Sequence, residues 1–269
     1  MYLVFEGAGM HSGNPCRIEV EPLPKGKGRH IHFDGNRKHI DPWLLHSDRR
    51  CSEFLGIGPL EHLAAALLLA GWSDWCLHVQ GGGVPLFDGS ASEFRIPRSH
   101  LGILEEPFSG FDFQISTSWG GHLVAKAADS FRVISRLSNE CWSGGVSELP
   151  ECLSARTFIT IDALVVAQEA GLLLGCKLDQ GRILGPAKSD AGRMLAKDLG
   201  LDPDSKVLWG EPKMEAELAA HKVLDLVGDL SLWIGVLPAL EIDFEQVGHE
   251  QFHELGRALL RFVEASSMS

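Results

Sequence analysis

Apolar and polar positions alternate or cluster along this chain in a way that predicts short strands separated by a few helices. Cys16-Arg-Ile-Glu-Val-Glu21 and Trp75-Cys-Leu-His-Val79 have the period of two expected of strands. Before the first of them, Gly7-Ala-Gly-Met-His11-Ser-Gly13 reads as a hairpin turn with His11 exposed near its tip, and after it His30 and His32 flank Ile31 as surface residues of a strand. A helix follows: Pro59 suits its first turn, Leu63, Ala66, Leu67 and Ala70 make its buried face, and Gly71 ends it. Asp88-Gly-Ser90 reads as a turn, and the stretch from about Arg95 to Gly110, rich in Pro, Gly and charge, as a linker. Strands are predicted over Phe111–Ser116, Leu123–Ala125 and Arg132–Arg136, and a loop over Glu140–Pro150. Two helices, Ile161–Glu169 and Asp190–Leu199 capped by Ser189, precede a third that starts near Pro212. Short strands at Leu232–Leu237 and Leu240–Phe244 lead to Gly248-His249 and a closing amphipathic helix to about Val263.

The third of these helices contains the most informative stretch, His221-Lys-Val-Leu-Asp225-Leu-Val-Gly-Asp229. Val223, Leu224, Leu226, Val227 and Leu230 fit a largely buried helix, yet His221, Asp225 and Asp229 at i, i+4 and i+8 share one face. The bland account is a polar stripe facing water. The chemical account is a pair of divalent-metal ligands one turn apart, because an unpartnered carboxylate is costly to bury.

Composition narrows the classes. At 269 residues the chain holds one large core or two modest ones, and 45% apolar with 22% charged residues describes a soluble globular protein. A net charge of −12 argues against a general nucleic-acid binder and requires a local basic pocket for any anionic substrate. The six cysteines form no Cys-x-x-Cys pair, which predicts free thiols in a reducing compartment. The N-terminus lacks a basic signal-peptide region, and the longest apolar run, Leu63–Trp72, is well short of the roughly 20 residues that span a bilayer, so a cytoplasmic location is expected.

Three candidate sites stand apart in the chain: Glu61-His62, the His221/Asp225/Asp229 face, and His249. Two histidines and an aspartate make a three-ligand zinc shell with a position open for water. A glutamate beside a ligand histidine suits a general base, and a second histidine held by an aspartate suits a general acid. Taken singly, His62 reads equally as a buried N-terminal histidine and His249 as a loop histidine.

These motifs resemble the zinc-dependent UDP-3-O-acyl-N-acetylglucosamine deacetylases (LpxC) of lipid A biosynthesis. The similar segments run in family order: Gly7–Gly13, Glu61-His62-Leu-Ala-Ala-Ala66, Pro85-Leu-Phe-Asp88-Gly-Ser-Ala91, Ser154-Ala-Arg-Thr157-Phe158, His221–Asp229 and Gly248-His249. The resemblance implies Zn2+ held by His62, His221 and Asp225, with Glu61 as base, His249 as acid, Asp229 orienting His249, and Thr157 donating to the oxyanion. It implies that Phe158 and Lys222 contact the UDP-linked acylated amino sugar and that His11 lines the sugar pocket. The implied fold is α+β: two similar domains, 1–106 and 107–269, in a layered β-α-α-β sandwich with the metal at their interface, in agreement with a weak internal echo of strands followed by a histidine-bearing helix. A monomer is expected. Rival readings are a diverged deacetylase of another N-acyl amino sugar and a non-catalytic nucleotide-sugar-binding paralogue.

The departures concern substrate. Gln246 stands where the family has a basic residue, Val247 replaces Ser, Gln251-Phe-His-Glu254 replaces an Asn-Asn-Lys run, and Ser116-Thr-Ser-Trp-Gly120 replaces Phe-x-His-Pro. Fewer cations weaken the binding of a strongly anionic ligand, leaving Lys222, with Arg156 as a further candidate. The acyl-chain region begins recognisably at Gly171-Leu-Leu-Leu-Gly175 but carries an insertion near Ala187–Ser205.

Overall fold

The computed structural model describes residues 2–47, 49–99 and 102–266. In the first half, β1 (Leu3–Ala8) and β2 (Pro15–Pro22) form the expected hairpin, followed by β3 (Arg29–Phe33), β4 (Asn36–His39), β5 (Leu45–His46), β6 (Glu53–Phe54), helix α1 (Glu61–Leu69) and β7 (Trp75–Gly81). The five-stranded sheet runs β1-β2-β7-β3-β4, with β7 antiparallel to β2 and parallel to β3, while β5 and β6 pair separately. Alternation sorts its faces: Ile18, Val20, Ile31, Leu77 and Val79 are buried in the core, and Arg17, Glu19, Glu21, His32 and His78 belong to the opposite face.

The second half contains β8 (Glu105–Pro107), β9 (Asp112–Ser116), β10 (His122–Ala127), β11 (Arg132–Leu137), β12 (Glu140–Gly145), β13 (Phe158–Thr160), α2 (Ile161–Glu169), β14 (Arg182–Leu184), α3 (Asp190–Asp198), β15 (Val207–Trp209), α4 (Glu217–Trp233), β16 (Leu237–Glu245) and α5 (His249–Ser266). Its main sheet runs β12-β11-β16-β10-β9, with β8 added to β16. A smaller sheet, β13-β14-β15, joins α2 and α3 around a core of its own built on Ile161, Ile183, Ala196 and Leu208. The molecule is thus mixed α and β, with several sheets and few helices.

Four expectations need correction. The segment taken as a linker contributes β8, although its His100 and Leu101 lie outside the described residues. Glu140–Gly145 is not loop but β12, antiparallel to β11, where the Gly-rich end weakened the strand signal. The helix expected from Pro212 begins at Glu217 and continues through Leu232 to Trp233, so the two short strands after it reduce to the single strand β16. His11 is buried, not exposed at a hairpin tip, because the Leu174–Gly175 backbone lies across the turn: Gly175 N–H donates to the Met10 carbonyl at 3.1 Å. A Cβ on Gly175 would sit 2.1 Å from the Gly9 oxygen, which makes glycine a requirement of that approach.

Helices α1 and α4 occupy the interior. Every residue of α1 is buried, as is every residue of α4 except Lys222, the pattern of helices covered on all sides. They touch backbone to backbone: an ideal Cβ at Gly228 would lie 2.1 Å from the Glu61 carbonyl oxygen. The polar stripe on α4 therefore does not face water. One continuous apolar cluster includes both helices and both large sheets, from Ile18 and Leu77 to Leu123 and Phe244.

Candidate metal centre

The close approach at Gly228 brings the first turn of α1 against the middle of α4. His62 Nε2 and His221 Nε2 lie 3.1 Å apart, and His62 Nε2 is 3.7 Å from Asp225 Oδ1. All three side chains are buried. Two ligand nitrogens on a tetrahedral zinc at about 2.0–2.1 Å would be separated by roughly 3.3 Å, close to the separation observed. His221 Nδ1 and Asp225 Oδ1 are buried without a hydrogen-bond partner, and burial holds the His221 pKa down at about 3 against the opposing pull of Asp225. Two imidazoles, that of His221 held neutral, converging on a carboxylate whose oxygen is unsatisfied fit a divalent cation. Burial opposes ionisation of Asp225, but His221, Lys222 and His249 outweigh it and hold its pKa well below the usual range, so it is present as the anion.

Next to this group lies an acid–base pair. His249, the first residue of α5, places Nδ1 2.8 Å from Asp229 Oδ2 and Nε2 3.8 Å from Glu61 Oε1. Burial disfavours a charged His249, but Asp229, Asp225 and Glu61 reverse that and raise its pKa to about 9. Burial opposes ionisation of Asp229, but His249 and His253 outweigh it and bring its pKa down to about 2. Burial raises the Glu61 pKa from its ordinary value, against the pull of His249 and His62, the direction that makes a carboxylate a better proton acceptor.

Four residues of the site went unread in the sequence. The Ser52 amide donates to Glu61 Oε2 at 2.9 Å, while its hydroxyl donates to Asp229 Oδ1 and lies 2.8 Å from His253 Nε2. His253 is one turn after His249 on α5, a spacing that signals a shared face; Ser52, in a loop, carries no signal. Arg49 and Arg50 line the same cavity and add positive charge that the motif comparison overlooked.

The cavity holds about 740 Å³ and opens onto Glu61, His62, His221, Asp225 and His249. Thr157, Phe158 and Lys222 also line it. Phe158 packs its edge on the His221 ring at 5.5 Å, and Lys222 Nζ lies 5.5 Å from the Phe158 centroid while donating to Asp225 Oδ2 at 2.9 Å. His11 stands apart, in a neighbouring recess with Glu53 and Arg49. Arg156 is not available to an anionic ligand: its Nε donates to Glu217 Oε1 at 2.9 Å, within a buried cluster that includes Arg182. That cluster explains the Ser-Ala-Arg-Thr-Phe motif in structural terms, since it ties Thr157 and Phe158 to the first residue of α4. Trp119, from the segment without a family counterpart, stands in the cavity wall and donates to the Gln246 carbonyl at 3.1 Å. The apolar wall comes from Leu164, Ile183, Leu195 and Leu199, so the segment read as an insertion, which forms α3, reaches the cavity.

Three converging donors with an acid–base pair beside them define a candidate metal centre of hydrolytic type. The family model for UDP-3-O-acyl N-acetylglycosamine deacetylase, LpxC, matches residues 2–261, and the chain belongs to that family. Relatives named UDP-3-O-acyl-N-acetylglucosamine deacetylase include one from Nostoc sp., 25% identical over 94% of each chain. Another, from Mannheimia succiniciproducens, is 26% identical over 96% of this chain and 88% of its own. A third, from Acidithiobacillus ferrooxidans, is 27% identical over 94% and 83%. No helix among the described residues is long and apolar enough to cross a membrane.

Proposed function

We propose that this protein is a cytoplasmic, monomeric, zinc-dependent amidohydrolase that removes the N-acetyl group of UDP-3-O-acyl-N-acetylglucosamine in lipid A biosynthesis. We also read the halves 1–106 and 107–269 as two domains of a β-α-α-β sandwich, with α1 and α4 as its middle layers and the site between them. The observation that carries the reading is the burial of Glu61, Asp229 and His249, linked by hydrogen bonds through Ser52, beside His62, His221 and Asp225. A protein that only bound a nucleotide sugar would have no need of an acid–base pair in that place.

His62, His221 and Asp225 would hold the metal. When bound, zinc acts as a Lewis acid and makes water a nucleophile near neutral pH. Glu61, fixed by the Ser52 amide, takes the proton from the attacking water. Thr157 donates to the oxygen that gains charge on the amide carbonyl. His249 enters protonated, with Asp229 holding Nδ1–H, and delivers the Nε2 proton to the departing amine. Lys222 and Phe158 contact the nucleotide-sugar, the aliphatic wall formed by α2, β14 and α3 takes the acyl chain, and His11 supports the sugar pocket from its recess.

Acetate release from the UDP-linked acyl sugar and from simpler N-acetyl sugars, measured on the zinc-loaded protein, tests this reading. Turnover of the UDP substrate, suppressed by chelation and restored by zinc, is the expected result. Turnover confined to another sugar would overturn the substrate, and zinc binding with no turnover would overturn the enzyme. Glu61→Ala should abolish turnover with zinc still bound; loss of the metal in that variant would make Glu61 a ligand.

A further inference from the structure

The outer face of the first sheet carries histidines that the proposed reaction does not use. In the β3–β7 register His32 lies directly opposite His78, and on the other side of β7 Glu19 faces His78 while Glu21 faces Cys76. His32 Nδ1 and His78 Nδ1 are 3.0 Å apart, with ring planes at 88°. The second nitrogen of His78, Nε2, lies 3.1 Å from Glu21 Oε2. A carboxylate accepts from N–H, so Glu21 selects the tautomer of His78 protonated on Nε2 and leaves the Nδ1 lone pair aimed at His32. This is the arrangement in which a ligating histidine has its far nitrogen held by a carboxylate.

We propose that His32 and His78 form a second metal site, on the sheet face remote from the cavity, for a divalent transition metal of the zinc, copper and nickel kind. Imidazole donors favour these ions over magnesium or calcium. Cys76 lies two residues before His78 on the same face of β7, opposite Glu21, and the two imidazoles are the donors the proposal rests on. The scaffold is stiff, because β2, β7 and β3 are adjacent, hydrogen-bonded strands at the centre of the sheet. Charge does not oppose the ion strongly. Arg17 is engaged by Glu6 and Glu19, and Arg37, across from His32, is exposed and screened by water. Ile31, Leu77 and Val79 of the same strands face the core, so the sheet itself separates this site from His62, His221 and Asp225. Without metal, the short nitrogen–nitrogen contact is made by a proton on His32 Nδ1 donated to His78 Nδ1; the ion takes the place of that proton.

The test is a titration of the metal-stripped full-length chain with zinc by calorimetry, repeated with copper(II) to read nitrogen ligation in the electron paramagnetic resonance spectrum. The wild type should bind one more equivalent than either His32→Ala or His78→Ala, and Glu21→Gln should weaken that equivalent about 10–100-fold. His221→Ala should spare it, which separates this site from the candidate centre whatever reaction that centre performs. His78→Gln, which keeps a polar side chain on the strand, repeats the comparison should the alanine variants fail to fold. Equal stoichiometry and affinity in the wild type and the His32 and His78 variants would overturn the proposal and leave a shared proton as the whole account of the pair.

Discussion

Replacing Gly228 by alanine probes the contact on which the whole site depends. In a helix interior, alanine is ordinarily better than glycine by about 0.8–1 kcal/mol. At Gly228 the added Cβ would fall 2.1 Å from the Glu61 carbonyl oxygen, where tight contacts reach 3.0 Å and ordinary ones begin at 3.4 Å, so the two groups must move apart by about 0.9–1.3 Å. Both contacting groups are backbone within buried helices, and no side chain can swing aside to relieve them. Overpacking of this kind costs about 1–3 kcal/mol, enough to reverse the sign expected from propensity. The same displacement carries Glu61 and His62 away from His249 and His221, and a misplacement of about 1 Å at a reacting centre costs about 100-fold in rate. Chemical unfolding of metal-free Gly228→Ala against wild type measures the first effect; zinc affinity and kcat measure the second. A variant equal to wild type in stability, or more stable, would refute the helix contact described above and the placement of His62 against His221 with it.

Asp229→Asn removes the charge that most favours protonated His249, so the pKa of about 9 falls and the basic limb of the kcat–pH profile moves to lower pH; an unmoved limb would remove His249 from the role of acid. The same coupling has a sign in stability. His249 is raised above its unfolded value, so its contribution is complete below about pH 6.5 and is lost as pH rises through about 9, a loss that Asp229→Asn should flatten in metal-free melting curves. Glu217→Gln leaves Arg156 and Arg182 buried without their carboxylate and should destabilise the fold by about 3–5 kcal/mol, read as a lowered denaturation midpoint; an unchanged midpoint would deny the cluster its part in fixing Thr157.

The residues that meet at this candidate site were more legible in the sequence than their surroundings. Residues that act through a motif, such as Glu61-His62 and the His221–Asp229 face, are legible because helical spacing ties side-chain identity to direction. Ser52 and the Arg49–Arg50 pair are not, because a loop has no period and their partners are distant in the chain. For the same reason the sequence offers Arg156 as a second cation beside Lys222, although Glu217 claims it. The hardest question was whether the α4 stripe faced water or the interior, and periodicity gives the same pattern in both cases. What decides it is Gly228. A glycine between Asp225 and Asp229 weakens the helix unless something must come close, and what comes close is the backbone of Glu61. His62 is thereby set against His221, and the fully buried Asp229 is tolerated only because Ser52, His249 and His253 all reach it. Burial, the proposed metal ligation and the proposed proton transfer thus share one cause, the absence of a single methyl group on α4.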